Sequence, residues 1–143
     1  MDKIHTIARA YIRDKDSLLL AHNGNNFFLP GGHVKYNEPL LTALKREIKE
    51  ELDLEDVKIG GFFGVVENVW DNKGSPFHEQ CFIFEIFSSL LSSDIPVISK
   101  EPHITFHWGL ITHLQNDNFL PRGINDFLEN YSRTHEARFY SSF

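Results

Sequence analysis

The stretch from Gly32 to Leu54, GHVKYNEPLLTALKREIKEELDL, decides the fold of this chain. Within it, apolar residues recur at helical spacing: Leu40, Leu41, Leu44, Ile48 and Leu52. Pro39 suits a first helical turn, because the amide hydrogen that proline lacks would be unpaired there. The pattern therefore predicts a helix from Pro39 to Asp53.

The polar side of this predicted helix carries a cluster of glutamates. On a helical wheel, Glu47, Glu50 and Glu51 fall within roughly 100° of one another, beside the apolar stripe. Like charges three and four residues apart repel each other, whereas a divalent cation between them makes the arrangement favourable. Carboxylate oxygens are ligands that Mg²⁺ prefers, so this face is a candidate metal site. A solvated helix surface is the competing interpretation.

The residues that precede the helix favour the metal site. Gly31 and Gly32 allow the backbone to bend and to approach a ligand closely. From Gly32, five residues lead to Glu38, and seven more lead to the segment from Arg46 to Leu54. This spacing resembles the signature of the Nudix hydrolases. One position departs from that signature, because the family usually has glycine where this chain has Asp53.

The resemblance implies a fold and a cofactor. The fold is an α/β/α sandwich with a mixed sheet between helices, and we expect residues 1–143 to form a single domain of this type. The cofactor is Mg²⁺, with Mn²⁺ as an alternative. The metal ligands that the resemblance implies are Glu47, Glu50, Glu51 and the Gly31 carbonyl.

The resemblance also implies supporting and catalytic roles. Glu38 and Gly32 would support the metal site from outside its ligand set. Arg46 would orient a glutamate through a charge-assisted hydrogen bond, and it is placed with Glu47 and Glu50 among the catalytic residues. The expected activity is hydrolysis of a diphosphate linkage in a nucleoside diphosphate derivative, by attack of water on phosphorus.

The general base and the substrate-binding residues have several candidates. The base is Glu47 or Glu50 on the helix, or else Glu101 or Glu79 from outside it. ADP-ribose-like compounds, nucleotide sugars and nucleoside triphosphates all remain open as substrates. The residues that we expect to contact them are Phe27, Trp70, His78, Glu79 and Glu101. Phe77 and Trp108 are further aromatic side chains able to stack on a base.

Composition excludes several classes of partner. The net charge of -6 argues against a nucleic-acid polymer, since binding to a phosphate backbone depends on clustered Lys and Arg. No apolar run is long enough to span a membrane, so we do not expect a membrane to be a partner. The single cysteine, Cys81, and the absence of a signal-peptide pattern favour the cytoplasm. A homodimer remains open.

The remaining elements are predicted from alternation and turn residues. Ile4 to Arg13 and Leu18 to Leu20 read as a hairpin, and Phe27 to Leu29 as a short strand that is followed by a loop from Pro30. Two further strands, Val57 to Val66 and Gln80 to Phe87, flank a turn-rich stretch from Asn68 to Pro76. The other predictions are a connection at 88–102, a strand at 105–110, a short helix from Ile124 to Tyr131, and a tail.

Two non-enzymatic functions compete with hydrolysis. The chain could be a catalytically silent Nudix-like domain that binds a nucleotide and regulates a partner. Loss of the motif acids would favour that interpretation, and none is lost. The other alternative is an interaction domain with an acidic helix, which predicts neither metal dependence nor turnover.

Overall fold

Strands outnumber helices in the computed structural model, which describes residues 3–114 and 118–143. The elements in chain order are β1 (Ile4–Tyr11), β2 (Arg13–Asp14), β3 (Ser17–His22), β4 (Phe27–Phe28), β5 (Gly31–His33), α1 (Leu40–Leu52), β6 (Lys58–Asn72), β7 (Ser75–Phe87), β8 (Thr105–Leu110), a 3-10 helix (Ile111–His113), α2 (Ile124–Thr134) and β9 (Arg138–Ser141). Among the described residues, no helix is long and apolar enough to cross a bilayer.

A five-stranded mixed sheet forms the central layer, in the order β5-β1-β7-β6-β9. β1 is parallel to β7 and β6 is parallel to β9, whereas the other neighbours are antiparallel. Successive side chains of a strand point to opposite faces. In β1, Ile7 and Tyr11 therefore lie in the core beneath α2, and Ala8 and Ala10 lie beneath α1. The predicted α/β/α sandwich with a mixed sheet is confirmed.

The helix α1 agrees with its prediction. It runs from Leu40 to Leu52, with Pro39 at its N-cap and Asp53 at its C-cap. Asp53 has φ 58° and ψ 37°, the left-handed conformation that glycine adopts most easily at a helix end. Aspartate tolerates this conformation better than most residues, so the helix still ends at the expected position.

A smaller sheet packs beside the central one and contributes to both cores. β3 lies between the β2–β4 edge and β8, with which it pairs along its whole length. Its apolar run is buried on both faces, with Leu18 and Leu20 in the core beneath α2 and Leu19 and Ala21 in the core beneath α1. This sheet brings β4 close to the start of β5.

The predicted N-terminal hairpin is only partly correct. Arg13 and Asp14 do pair with β3. The longer strand β1, however, ends at Tyr11 and lies in the other sheet, between β5 and β7. Both of its faces are buried, which is typical of an interior strand with neighbours on both edges.

The prediction of a turn-rich stretch from Asn68 to Pro76 was wrong. β6 and β7 continue through it as one long hairpin, and only Lys73 and Gly74 form the turn. The polar residues in this stretch have weak strand propensity, but each is paired across to the opposite strand. Cross-strand pairing outweighs local propensity here.

Two edge strands were also missed. The loop expected from Pro30 contains β5, in which Gly31 pairs with Arg9 of β1. The tail expected after α2 contains β9, in which Phe139 pairs with Val65 of β6. Each pairs with a strand far away in the sequence, so neither shows a local pattern. The connection at 88–102 is confirmed, with neither helix nor strand.

Candidate active site

The helix α1 positions the glutamates through its buried stripe. Its apolar side packs against β1, where Ala8 and Ala10 are fully buried and leave room for the helix. Glu51 lies on the helix face of the apolar residues Ile48 and Leu52, so its side chain is also buried, with 4% of its surface exposed. Glu47 is half-buried and Glu50 is exposed. One helix face thus presents three carboxylates at three different depths.

Arg46 is the centre of an ion-pair network on this face. Its Nε and Nη2 donate to the two oxygens of Glu38, at 2.7 Å and 2.9 Å. Its Nη1 donates to Glu47 at 2.9 Å and to Glu50 at 3.3 Å, and its Nη2 also donates to the His33 carbonyl at 2.9 Å. A single guanidinium therefore ties the loop before the helix to two of the three helix glutamates.

This network has a clear electrostatic signature. The bidentate bond from Arg46, with help from the Lys35 amide, lowers the pKa of Glu38 to about 2. The same bond to Glu38 raises the pKa of Arg46. Glu38 and Arg46 therefore both stay charged at physiological pH, and the ion pair between them persists there.

Gly32 lies directly beneath Glu47. A Cβ atom on Gly32 would lie 2.5 Å from the Cδ and Oε2 atoms of Glu47, closer than non-bonded atoms approach. Any larger residue would displace that carboxylate from its position beside Arg46. The glycine thus provides space for a functional side chain, as well as flexibility for the turn.

Glu51 is the most unusual carboxylate of the site. The Gly31 amide donates to it, but its Oε2 is buried with no hydrogen-bond partner among the described residues. Burial raises the pKa of Glu51 to about 8, and the negative charges of Glu47 and Glu101 act in the same direction. Arg9 opposes these effects. A buried carboxylate oxygen without a partner is costly, and a cation can satisfy it.

The Gly31 peptide connects two sides of the sheet. Its amide faces Glu51, while its carbonyl accepts a hydrogen bond from Arg9 Nη1 at 3.3 Å. Arg9 also donates to the Leu29 carbonyl at 3.1 Å, and its guanidinium lies 5.2 Å from the centre of the Phe28 ring. The carbonyl that the resemblance assigns to a metal ion therefore contacts a cation of the chain itself.

The chemistry of the side chains fits a hard divalent cation better than their arrangement does. Carboxylate oxygens and a carbonyl are suitable ligands, and the unpartnered oxygen of Glu51 lies among them. Within 3–114 and 118–143, however, no three His, Cys, Asp or Glu side chains are grouped so that they could hold an ion. A metal ion would have to compete with Arg46 for Glu47 and Glu50.

A cavity of about 230 Å³ opens on the Arg9 side of Gly31. Its floor is the central sheet, and its walls come from β4, the loop before it and the start of α2. The residues that line it are Arg9, Asn23, Asn26, Phe28, Leu29, Asn68, Trp70, Glu79, Cys81, Ile83, Leu120, Pro121 and Ile124. A mostly apolar concavity with a few polar side chains is the usual form of a small-molecule site.

The structure brings some of the predicted substrate residues to this region and not others. Trp70 and Glu79 line the cavity, and Glu101 is close enough to Glu51 to affect its pKa. Phe27 and His78 are not among the lining residues. His78 lies on the opposite face of β7 from Glu79, as strand alternation requires.

The two additional aromatic candidates also lie outside the cavity lining. Phe77 is stacked on His5, with ring centres 4.0 Å apart, and it supports Trp70 from the side at 4.9 Å. Trp108 lines a separate cleft near Phe87 and donates its indole N–H to the Ile95 carbonyl at 3.3 Å. Trp70 is therefore the aromatic candidate with a surface free to stack on a ligand at the cavity.

Comparison with known families decides the class of protein. The NUDIX domain model matches residues 3–128, which include β1, the glycine loop and the whole of α1. This chain belongs to the Nudix family. As a Nudix hydrolase it is a pyrophosphohydrolase, of a family that acts on small-molecule nucleotide substrates.

Solved structures show the same Nudix fold. The chain is similar to a MutT protein from Methanosarcina mazei Go1, with 23% identity, a TM-score of 0.70 and coverage of 93% of this chain and 96% of that one. A MutT NUDIX hydrolase from Burkholderia pseudomallei has 21% identity and a TM-score of 0.66, covering 90% and 98%. An ADP-ribose pyrophosphatase from Streptococcus suis has 17% identity and a TM-score of 0.61, covering 96% and 98%. A comparison with curated protein sequences gave no match.

Of the residues that line the cavity, sequence reasoning found Trp70 and Glu79 and missed the others, Arg9, Asn68 and Cys81 among them. Arg9 had a detectable signal, since it is a charge inside the otherwise apolar run IARAYI. Asn68 and Cys81 had none, because their role depends on which strands lie side by side. The Nudix motif contains none of these three residues.

Proposed function

We propose that this hydrolase uses a divalent ion, Mg²⁺ or alternatively Mn²⁺, to cleave a diphosphate linkage in a nucleoside diphosphate derivative. ADP-ribose-like compounds, nucleotide sugars and nucleoside triphosphates are the candidate substrates. The observation that carries the proposal is the buried Oε2 of Glu51, which has no hydrogen-bond partner among the described residues. The Gly31 backbone separates Glu51 from Arg9, which lines the cavity of about 230 Å³. A cation at Glu51 and a nucleoside in the cavity would put the diphosphate between them.

Four groups would hold the ion in this proposal: Glu47, Glu50, Glu51 and the Gly31 carbonyl. When bound, the ion would neutralise phosphate oxygens, lower the pKa of a coordinated water and stabilise charge on the leaving phosphate. Glu38 and Arg46 keep Glu47 and Glu50 on the side of the helix that faces His33. This clamp holds both carboxylates beside Glu51, where an ion would compete with Arg46 for their oxygens.

Arg9 supplies a second positive charge. Its guanidinium is fixed by two carbonyls and by Phe28, it lines the cavity, and its field reaches Glu51. A diphosphate that extends from the cavity toward the glutamates would pass this cation. Arg9 would therefore bind phosphate oxygens while the helix glutamates take part in the chemistry.

The general base is proposed on α1, at Glu47 or Glu50, with Glu101 as the alternative. In favour of the helix, both carboxylates are already oriented by Arg46. In favour of Glu101, the Lys100 amide donates to the Glu51 carbonyl at 2.9 Å and holds the preceding loop against the end of α1. Glu79 lies in the cavity, so we propose a binding role for it instead.

Turnover of a substrate panel tests this function. The protein would be incubated with Mg²⁺, Mn²⁺ or a chelator and with nucleoside triphosphates, ADP-ribose and nucleotide sugars, and the products separated by chromatography. Glu51→Gln removes the proposed ligand at nearly constant volume, and Glu136→Gln, on the exposed segment after α2, is the matched control. We expect metal-dependent release of two phosphate-bearing products by the wild type and the control only.

The alternatives predict other outcomes. Absence of turnover on every substrate, or equal turnover by Glu51→Gln, would rule out the enzyme that we propose. Binding of a nucleotide without turnover would identify the regulatory domain instead. Neither binding nor turnover would leave an interaction domain with an acidic helix.

We also propose that residues 1–143 act as one domain in the cytoplasm. β9 lies beyond the family match at residue 128, yet it completes the central sheet by pairing with β6. The buried free thiol of Cys81 suits a reducing compartment. Whether the protein forms a homodimer is tested by light scattering on the protein as it elutes from a size-exclusion column.

A further inference from the structure

Two polar side chains face the same part of the cavity from neighbouring strands. Asn68 of β6 and Glu79 of β7 are directly opposite each other in the antiparallel register, and both line the cavity. Directly opposite residues on one face have Cβ atoms about 4.5–5.5 Å apart. Only 8% of the surface of Glu79 is exposed, in a cavity whose other walls are mainly apolar. The pair therefore forms a small polar patch on an apolar floor.

The hydrogen bonds that Glu79 and Asn68 already make determine which donors and acceptors remain for a ligand. Within the described part of the chain, Glu79 Oε1 accepts one weak hydrogen bond, from the Cys81 thiol at 3.5 Å. Burial raises the pKa of that thiol to about 12, so it remains a donor. Asn68 Oδ1 accepts a hydrogen bond from Ser142 Oγ at 2.5 Å, which leaves the Asn68 amide nitrogen as the group able to donate. The patch presents a carboxylate acceptor beside an amide donor.

We infer that Glu79 and Asn68 select a guanine base, and this inference rests on the proposed function. The Watson–Crick edge of guanine carries a carbonyl oxygen, O6, beside two N–H donors at N1 and N2. Glu79 would accept from both N–H groups with its two oxygens, while the Asn68 amide donates to O6. Trp70, which is 41% exposed at the same cavity, would stack on the ring.

Other bases fit this patch less well. Adenine has one amino group next to a ring nitrogen that carries a lone pair, and that lone pair would face the carboxylate. Hypoxanthine has the N1–H and O6 but lacks the amino group at N2, so one carboxylate oxygen would lose its partner. Uracil and cytosine are smaller and have no two adjacent N–H donors. A buried polar group that is left unpaired discriminates strongly against the wrong ligand.

Binding of mononucleotides without metal tests the inference apart from hydrolysis. Titration calorimetry would compare GMP, IMP and AMP in the presence of a chelator. We expect GMP to bind about tenfold more tightly than IMP, which is the effect of one hydrogen bond to a charged group, and AMP to bind more weakly than GMP by at least that factor. Equal affinities, or tighter binding of AMP, would overturn the inference.

Variants assign the preference to its residues. Glu79→Gln keeps the shape but replaces one acceptor with a donor, so the preference for GMP over IMP should disappear. Asn68→Asp keeps the oxygen that Ser142 contacts but removes the amide donor, so the affinity for GMP should fall. Glu85→Gln, on the same strand but outside this cavity, is the matched control and should preserve the wild-type order.

The outcomes separate this inference from the proposed function. Circular dichroism and thermal unfolding would show whether each variant folds. If Glu79→Gln did not fold, Asn68→Asp and the wild-type ligand series would decide. Metal-dependent hydrolysis without a GMP preference would retain the enzyme and reject the guanine pocket. A GMP preference without hydrolysis would retain the guanine pocket and reject the enzyme. If folded Glu79→Gln kept the preference for GMP, Glu79 would be excluded as its source.

Discussion

The two sides of Gly31 are built in different ways. On one side, the charged groups Glu38, Arg46, Glu47 and Glu50 come from one short segment of sequence and are held together by ion pairs. On the other side, the cavity is assembled from strands, loops and the start of a helix that are far apart in the chain. The side that we propose to react, called the reacting side below, is therefore a local structure. The side that we propose to bind the nucleotide, called the binding side, depends on the complete tertiary fold.

Substitution of Gly31 should have the largest effect, because this residue belongs to both sides. Its φ is 139°, and a Cβ atom there would overlap the Ala8 backbone carbonyl, which cannot move without breaking the β1–β5 pairing. We expect Gly31→Ala to lower the free energy of unfolding by at least about 3 kcal/mol and to abolish both hydrolysis and nucleotide binding. Denaturant unfolding and calorimetry measure these effects.

Gly24→Ala is the control for backbone strain alone. Gly24 also has a positive φ, 99°, but a Cβ atom there would meet nothing within 4 Å. We expect it to cost only about 1 kcal/mol of stability, with activity intact. Equal losses for the two variants would show that Gly31 is needed only for its backbone conformation.

Substitution of Arg46 should separate the two sides. A lysine at position 46 keeps the positive charge but cannot contact Glu38, Glu47 and Glu50 at once. We expect Arg46→Lys to lower kcat/KM by about 10- to 100-fold, while mononucleotide binding in the cavity stays within about twofold. Arg133→Lys, exposed on α2, is the control and should leave both unchanged. A parallel loss of binding and activity would mean that the two sides are not independent.

The free energy of unfolding should depend on pH through Glu51, which lies on the reacting side. The pKa of Glu51 in the folded protein is about 8, above its value in the unfolded chain, because burial opposes ionisation. The contribution of Glu51 to the stability of the metal-free protein is therefore fully present below its unfolded pKa, about 4.3, and this contribution should fall by on the order of 1–3 kcal/mol as the pH rises toward 8. Denaturant unfolding in a chelator from pH 5 to 9 measures this loss.

Glu51→Gln sharpens the same prediction. Without an ionisable group at position 51, this part of the pH dependence should disappear, so the variant should be the more stable protein above pH 8 while it is inactive. The affinity of the wild type for Mg²⁺ should rise with pH up to about 8, since a cation binds the ionised carboxylate. An unchanged stability profile in the variant would mean that Glu51 is not the group that titrates.

Asp53 should have the smallest effect. It occupies the left-handed position at the end of α1, outside both the network of Arg46 and the cavity. We expect Asp53→Gly to raise the free energy of unfolding by less than about 1 kcal/mol and Asp53→Ala to lower it by a similar amount, with kcat/KM unchanged in both. A change in activity would show that the end of α1 contributes to the reacting side.

The same contrast explains which elements were predictable. The helix α1 shows an apolar period, a proline at its start and a left-handed residue at its end, all within Pro39 to Asp53. The edge strands β5 and β9 show no such pattern, because each exists through pairing with a partner distant in sequence. The long β6–β7 hairpin likewise includes polar residues whose propensity favours a turn.

The family, the helix and the set of acidic and basic side chains from Glu38 to Glu51 follow from the amino-acid sequence alone. Residues three and four apart on a helix must share a face, so their proximity follows from their spacing. The burial of Glu51, the contact of Arg9 with Gly31 and the position of Asn68 opposite Glu79 are seen in the folded structure alone. Strand order and register bring these residues together, and both depend on the packing of the whole domain.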